Sequence, residues 1–163
     1  MGVTDTNYNS LYAISWSNPS TKGTGLSQRG RVKLLDDFIT NFNATLTKLD
    51  SDAGVTDTNY NSLGAITDNV NNLPGDPIQN NGVFQGAIVT LLGTIRTKFN
   101  ATLTKLDADA GVTDTNYSSL WALPAIDANQ ICQGGINQGA LFTYLDTIRA
   151  NFNAVLTKLD ADT

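Results

Sequence analysis

The sequence predicts an all-α protein built from three tandem helical repeats. Each repeat is a long amphipathic helix plus a short helix and corner, and the three form either a pseudo-threefold bundle or a short solenoid. Three observations carry this reading. The motif GVTDTNY begins at Gly2 and returns at Gly54 and Gly111. A block ending in LTKLD closes each copy, so the chain divides into repeats 2–53, 54–110 and 111–163, read as a single domain. Within each block the apolar residues recur at spacings of three and four, which places them on one stripe of a helix.

The long helices come first. The stripe is Leu35, Phe38, Phe42, Leu46 and Leu49 in the first repeat, and Ile88, Leu92, Ile95, Phe99, Leu103 and Leu106 in the second. In the third it is Leu141, Leu145, Ile148, Phe152, Leu156 and Leu159. A strand alternates its faces every two residues, so this period fits only a helix. No helix can hide such a stripe alone, and three of them can share one core.

The corner follows. Gly54 and Gly111 stand where a left-handed residue ends a helix, and Val55 and Val112 where that capping motif takes an apolar contact. Thr56 or Asp57, and Thr113 or Asp114, are the expected N-caps of a short helix through NYNSL and NYSSL. Tyr60, Leu63, Tyr117 and Leu120 should then pack back on the long helices. The segments between corner and long helix vary among repeats and carry all four prolines, Pro19, Pro74, Pro77 and Pro124. They read as loops, and in repeat proteins such variable loops form the surface that meets partners. Trp16, Trp121, Tyr12 and Tyr144 are the interface candidates, set against the alternative that the tryptophans cap the ends of the core.

One pattern runs against local physics. Asp50 with Asp52, Asp107 with Asp109, and Asp160 with Asp162 sit at helix C-termini, where the macrodipole penalises a carboxylate by about 0.3 to 1 kcal/mol. Capping with pairing to Lys48, Lys105 and Lys158 is one explanation. The other is a calcium ion held by Asp50, Asp52, Asp57 and Asn59, or by Asp107, Asp109, Asp114 and Asn116, with a carbonyl and water. The spacing is not that of an EF-hand loop.

Composition restricts function further. The formal charge is −5, which argues against a surface that tracks nucleic-acid phosphates, since nucleic-acid binders concentrate Lys and Arg. The chain has no histidine and one cysteine, Cys132, so the commonest general base and the Cys-rich zinc sites are missing. The opening MGVTDTNYNSLYAISW lacks a basic region followed by an apolar run, and no apolar stretch is long enough to span a bilayer. The chain is expected to be soluble, without Sec export and with no membrane partner. Asn43, Asn100 and Asn116 match glycosylation acceptors by chance. Arg96 and Arg149 recur as TIR and read as exposed charges. No phosphate loop, nucleophile elbow or acid pair occurs, so no cofactor and no catalysis are expected.

The wording KLDADAGVTDTNY, with the helix block FNAVLTKLD, resembles a segment of virion structural proteins of tailed bacteriophages. The resemblance covers the constant part of each repeat and leaves the variable loops outside. It implies a non-enzymatic virion part, made in the bacterial host cytoplasm and residing in the virion. A capsid accessory of the decoration or cement kind comes first, and a neck, tail or fibre component second. Its partners would be other virion proteins, the major capsid protein or neck and tail proteins, with a homo-oligomer also open. From another class, a carbohydrate or host-surface binding module would use Trp16, Trp121 and Tyr144 as apolar platforms.

The two ends of the sequence are complementary halves of one corner. GVTDTNY opens the chain without KLDADA before it, and KLDADT closes it without GVTDTNY after it. Closure of the three repeats within one chain is the expected outcome, with head-to-tail joining of chains as the alternative.

Overall fold

A computed structural model describes residues 2–15, 28–68, 83–126 and 138–162. Among these, six helices alternate short and long, and no strand occurs. They are α1 (Tyr8–Tyr12), α2 (Gln28–Ser51), α3 (Tyr60–Gly64), α4 (Val83–Ala108), α5 (Tyr117–Trp121) and α6 (Gln138–Ala161). The protein is all-α, as the stripes require.

All three stripes are buried in one continuous core. At its centre Phe42 lies 5.9 Å from Phe99 and 6.3 Å from Phe152, the equivalent residue of each long helix. Phe38 stacks on Phe42 at 5.5 Å and meets Phe152 edge-on at 5.3 Å. Such geometries add to the stabilisation from area alone. Each short helix fills a groove between two long ones: α3 between α2 and α4, α5 between α4 and α6, and α1 between α6 and α2. That last contact closes a ring, so the arrangement is a bundle and not an open solenoid.

The corner differs from its expected form in three respects. Neither Gly54 nor Gly111 adopts the left-handed conformation. A side chain at Gly54 would overlap the carbonyl oxygen of Gly2, and one at Gly111 that of Gly54. The glycines therefore serve close approach of successive corners, with the turn closed by Val55 N–H to Asp52 C=O at 3.1 Å and Val112 N–H to Asp109 C=O at 3.1 Å. Second, the N-cap positions of the short helices are Asn7, Asn59 and Asn116, and none of these caps with its own side chain. Third, Tyr8, Tyr60 and Tyr117 are fully buried, whereas Leu11, Leu63 and Leu120 are 56 to 60% exposed. A five-residue helix lying in a groove has one inward face. The tyrosine at its first position takes that face, and the leucine three residues on turns outward.

Candidate functional site

The puzzling aspartates resolve into a device used three times. Although Asp50 stands at the C-terminus of α2, its carboxylate reaches the N-terminus of α3, accepting the N–H groups of Tyr60 at 2.6 Å and Asn61 at 3.0 Å. Asp107 does the same for Tyr117 and Ser118 at 2.6 and 3.0 Å. Asp160 receives Tyr8 and Asn9 at 2.6 and 3.0 Å. Each carboxylate thus satisfies the unpaired donors at the favourable, positive end of the next short helix in the ring. The local penalty disappears once the tertiary neighbour is counted.

The second aspartate of each pair gathers the corner of its own repeat. Asp52 accepts Thr4 N–H at 3.0 Å, Thr4 Oγ1–H at 2.6 Å, Asp5 N–H at 3.1 Å, Gly54 N–H at 2.9 Å and the Tyr8 hydroxyl at 3.0 Å. Burial alone would raise its pKa, but these donors outweigh burial and hold it at about 2. Asp109 is likewise lowered against its burial, by Gly111, Thr56, Asp57 and the Tyr60 hydroxyl. Asp162 differs. It receives Thr113 N–H at 3.1 Å and the Thr113 hydroxyl, and burial, aided by the neighbouring Asp114 charge, leaves its carboxyl raised. The Tyr117 hydroxyl, equivalent to those of Tyr8 and Tyr60, is buried with no partner. Burial pushes all three phenols above their ordinary value, so they stay neutral, and Tyr8 and Tyr60 act as donors.

The lysines pair across the ring and not with the helix-end aspartates. Lys48 bridges Asp5 and lies 4.9 Å from the Tyr8 ring centre. Lys105 bridges Asp57 over Tyr60 at 4.5 Å, and Lys158 bridges Asp114 over Tyr117 at 5.4 Å. Cation and ring together fix the tyrosine in its groove.

A set of asparagines completes each corner, of which sequence reasoning noted Asn43 and Asn100 only as chance glycosylation matches. Asn43 accepts Ile66 N–H at 2.9 Å and donates to Ile66 C=O at 2.8 Å, so its amide mimics a neighbouring strand. Asn100 holds Leu123 at 2.7 and 3.0 Å, and Asn153 holds Ile14 at 2.9 and 3.0 Å. Asn41, Lys98 and Asn151 donate to the carbonyls of Tyr12, Leu63 and Trp121, near the ends of the short helices. The signal was in the sequence: an asparagine kept at the same interior position of three helices is a poor helix former with a reason to be there.

Most of the sequence-predicted site residues are therefore structural. Asp50, Asp52, Asp107 and Asp109 spend their oxygens on N–H and O–H donors, and Asp57 and Asp114 pair with lysine. Asn59 and Asn116 hold the N-cap position, and the carbonyl of each receives the N–H of Leu63 or Leu120. Among the described residues no group of three acidic or thiol side chains gathers to hold a metal, so the two proposed calcium sets are not brought together. Tyr144 is buried, its hydroxyl donating to Pro124 C=O at 3.1 Å, with burial raising its pKa to about 12. Trp121 meets Tyr117 edge-on at 5.9 Å, and both Trp121 and Tyr12 are half-buried against the core. Trp16 and Cys132 lie outside the described residues.

No family model, curated protein or solved structure matches the chain. Among the described residues no helix is long and apolar enough to cross a membrane. What the geometry offers is a ring of mutually capped corners, with polar groups directed at the chain's own backbone.

Proposed function

We propose that the chain is a non-enzymatic structural component of a bacteriophage virion, first of all a capsid accessory of the decoration or cement kind. The observation that carries this is the KLDADAGVTDTNY wording with its helix block, which resembles virion structural proteins and spans both junctions between repeats, at 48–60 as KLDSDAGVTDTNY and at 105–117. The site geometry supports a building role: the aspartates, lysines and asparagines that a reader would nominate for chemistry are occupied in holding corners together. The pseudo-threefold ring also favours a second reading, a neck, tail or fibre component, since a threefold-repeated surface suits a threefold axis. Of the three platforms of the carbohydrate-binding alternative, Tyr144 is buried, Trp121 is half-buried and Trp16 lies outside the described residues.

Quantitative mass spectrometry of purified particles tests the proposal. Copies in the hundreds support the head, and copy numbers on the order of ten support neck, tail or fibre. Absence from the particles overturns both readings.

A further inference from the structure

The three grooves differ in one respect that matters for assembly. The corner 54–66 is held by α2 through Asp50 and Asn43, and the corner 111–123 by α4 through Asp107 and Asn100. In both cases the corner follows directly on the helix that holds it. The corner 2–14 is held by α6 through Asp160 and Asn153, from which it is separated by 139 to 152 residues of chain. Yet the bonds are the same. The aspartate receives the tyrosine N–H at 2.6 Å and the next N–H at 3.0 Å in all three grooves. Recognition in the third groove is thus wholly non-covalent, and it reads features common to every copy of the corner: two helix-start N–H groups, a buried tyrosine under a lysine, and one extended residue clasped by an asparagine.

Among the described residues, the junction between α6 and the corner 2–14 is also bonded differently from the other two. Asp52 and Asp109 each tie a glycine N–H of the following corner, at 2.9 and 2.8 Å. Asp162 receives no hydrogen bond from residues 2–9 among those described, and beside it the Tyr117 hydroxyl is left without a partner.

We propose that the groove between α6 and α2 is an exchangeable peptide site, filled by residues 2–14 of the same chain in the ring and by residues 2–14 of a second copy when chains are concentrated. Exchange remakes every bond it breaks, which is why swapping an identical element is a low-cost route to linked subunits. Closure within the chain wins at low concentration, because an attached segment is present at an effective concentration in the millimolar range. Linked chains take over only when copies are crowded to about that level.

The test uses the full chain. Equal amounts of isotopically light and heavy protein are refolded together across a range from micromolar to about millimolar concentration, and the products are read by light scattering and native mass spectrometry. Folded dimers of mixed isotope at the high end are expected, reverting to monomer when unfolded and refolded dilute. Because the same bonds hold the closed and the exchanged forms, Asp160→Ala with Asn153→Ala should leave the dimer fraction within about twofold but speed isotope mixing of folded light and heavy dimers by about tenfold or more, since fewer bonds keep the segment in its groove. The matching pair Asp107→Ala with Asn100→Ala, which removes the equivalent bonds from a groove that does not exchange, should leave the mixing rate within about twofold. A wild type that stays monomeric throughout overturns the proposal, as does isotope mixing that is sped more by the α4 pair than by the α6 pair. If either double variant does not fold, the wild-type series and its isotope mixing decide alone.

Discussion

Asp160 and Tyr8 stand 152 residues apart in sequence, and the carboxylate of the first accepts the backbone N–H of the second at 2.6 Å. The same bond joins Asp50 to Tyr60 across only 10 residues. Equality of the two bonds is what makes the bundle a ring: the last repeat treats the first as its successor.

A ring can be cut elsewhere. Joining the two ends of the chain through a short linker and reopening it before Gly54 should give a folded monomer. Its helical circular dichroism should match the wild type, with a melting temperature within a few degrees. An insoluble or unstructured permutant would show that one corner cannot replace another.

Two glycine substitutions should move stability in opposite directions. At Gly54 a methyl group collides with the Gly2 backbone, which cannot yield without parting two corners, so Gly54→Ala should cost about 3 kcal/mol or more. At Gly93, inside α4, nothing lies within 4 Å of the added carbon, so Gly93→Ala should stabilise by about 0.5 to 1 kcal/mol through helix propensity alone. Urea unfolding of the two variants checks both signs.

Stability should depend on pH through carboxylates that pull in opposite directions. Asp52, held at about 2 against an ordinary 3.8, favours folding above pH 3.8, on the order of 2 kcal/mol, and that contribution is lost as pH falls towards 2. Asp109 is lowered and acts in the same sense. Asp162 is raised, so its contribution is present below 3.8 and lost as pH rises through its folded value. Asp52→Asn should therefore destabilise much more at pH 7 than at pH 2, as read by thermal melts.

Asp162→Asn should do the reverse. An amide keeps an oxygen for Thr113, removes a buried charge near Asp114, and brings a donor towards the unpartnered Tyr117 hydroxyl. The expected outcome at pH 7 is a gain of about 0.5 to 1.5 kcal/mol, fading near pH 3. A loss as large as that of Asp52→Asn would show that the two carboxylates are equivalent after all.

Asn100→Ala should expose what its side chain does. Removing an amide that accepts Leu123 N–H at 2.7 Å and donates to Leu123 C=O at 3.0 Å leaves that N–H unpaired and the carbonyl with the Arg96 Nε–H at 3.3 Å, beside a buried leucine. A cost of about 2 kcal/mol is expected, against under about 0.5 kcal/mol for exposed Asn61→Ala, compared by chemical denaturation.

How much of this was legible beforehand depended on range. The long helices could be read because a helix stripe is a local pattern of period 3.6, and every residue assigned to Leu35–Leu49, Ile88–Leu106 and Leu141–Leu159 is buried. The short helices were expected to pack both tyrosine and leucine inward; Tyr60 and Tyr117 do so and Leu63 and Leu120 do not, because five residues are too few for a period to name the inner face. The repeated aspartates announced themselves only as a violation. A helix C-terminus repels a carboxylate, and the sequence alone could answer that with a cation or a lysine but not with the next helix.

By itself the sequence determined the class of fold, the three units and the positions that had to matter, since propensity, periodicity and repetition act between neighbours along the chain. Only the tertiary structure decided what Asp50, Asp52 and Asn43 bind, why Gly54 has no side chain, and that residue 8 answers residue 160. Those depend on which backbone donors and acceptors are left over where two helices end together, and hydrogen-bond partners far apart along the chain leave no trace in the local spacing of residues.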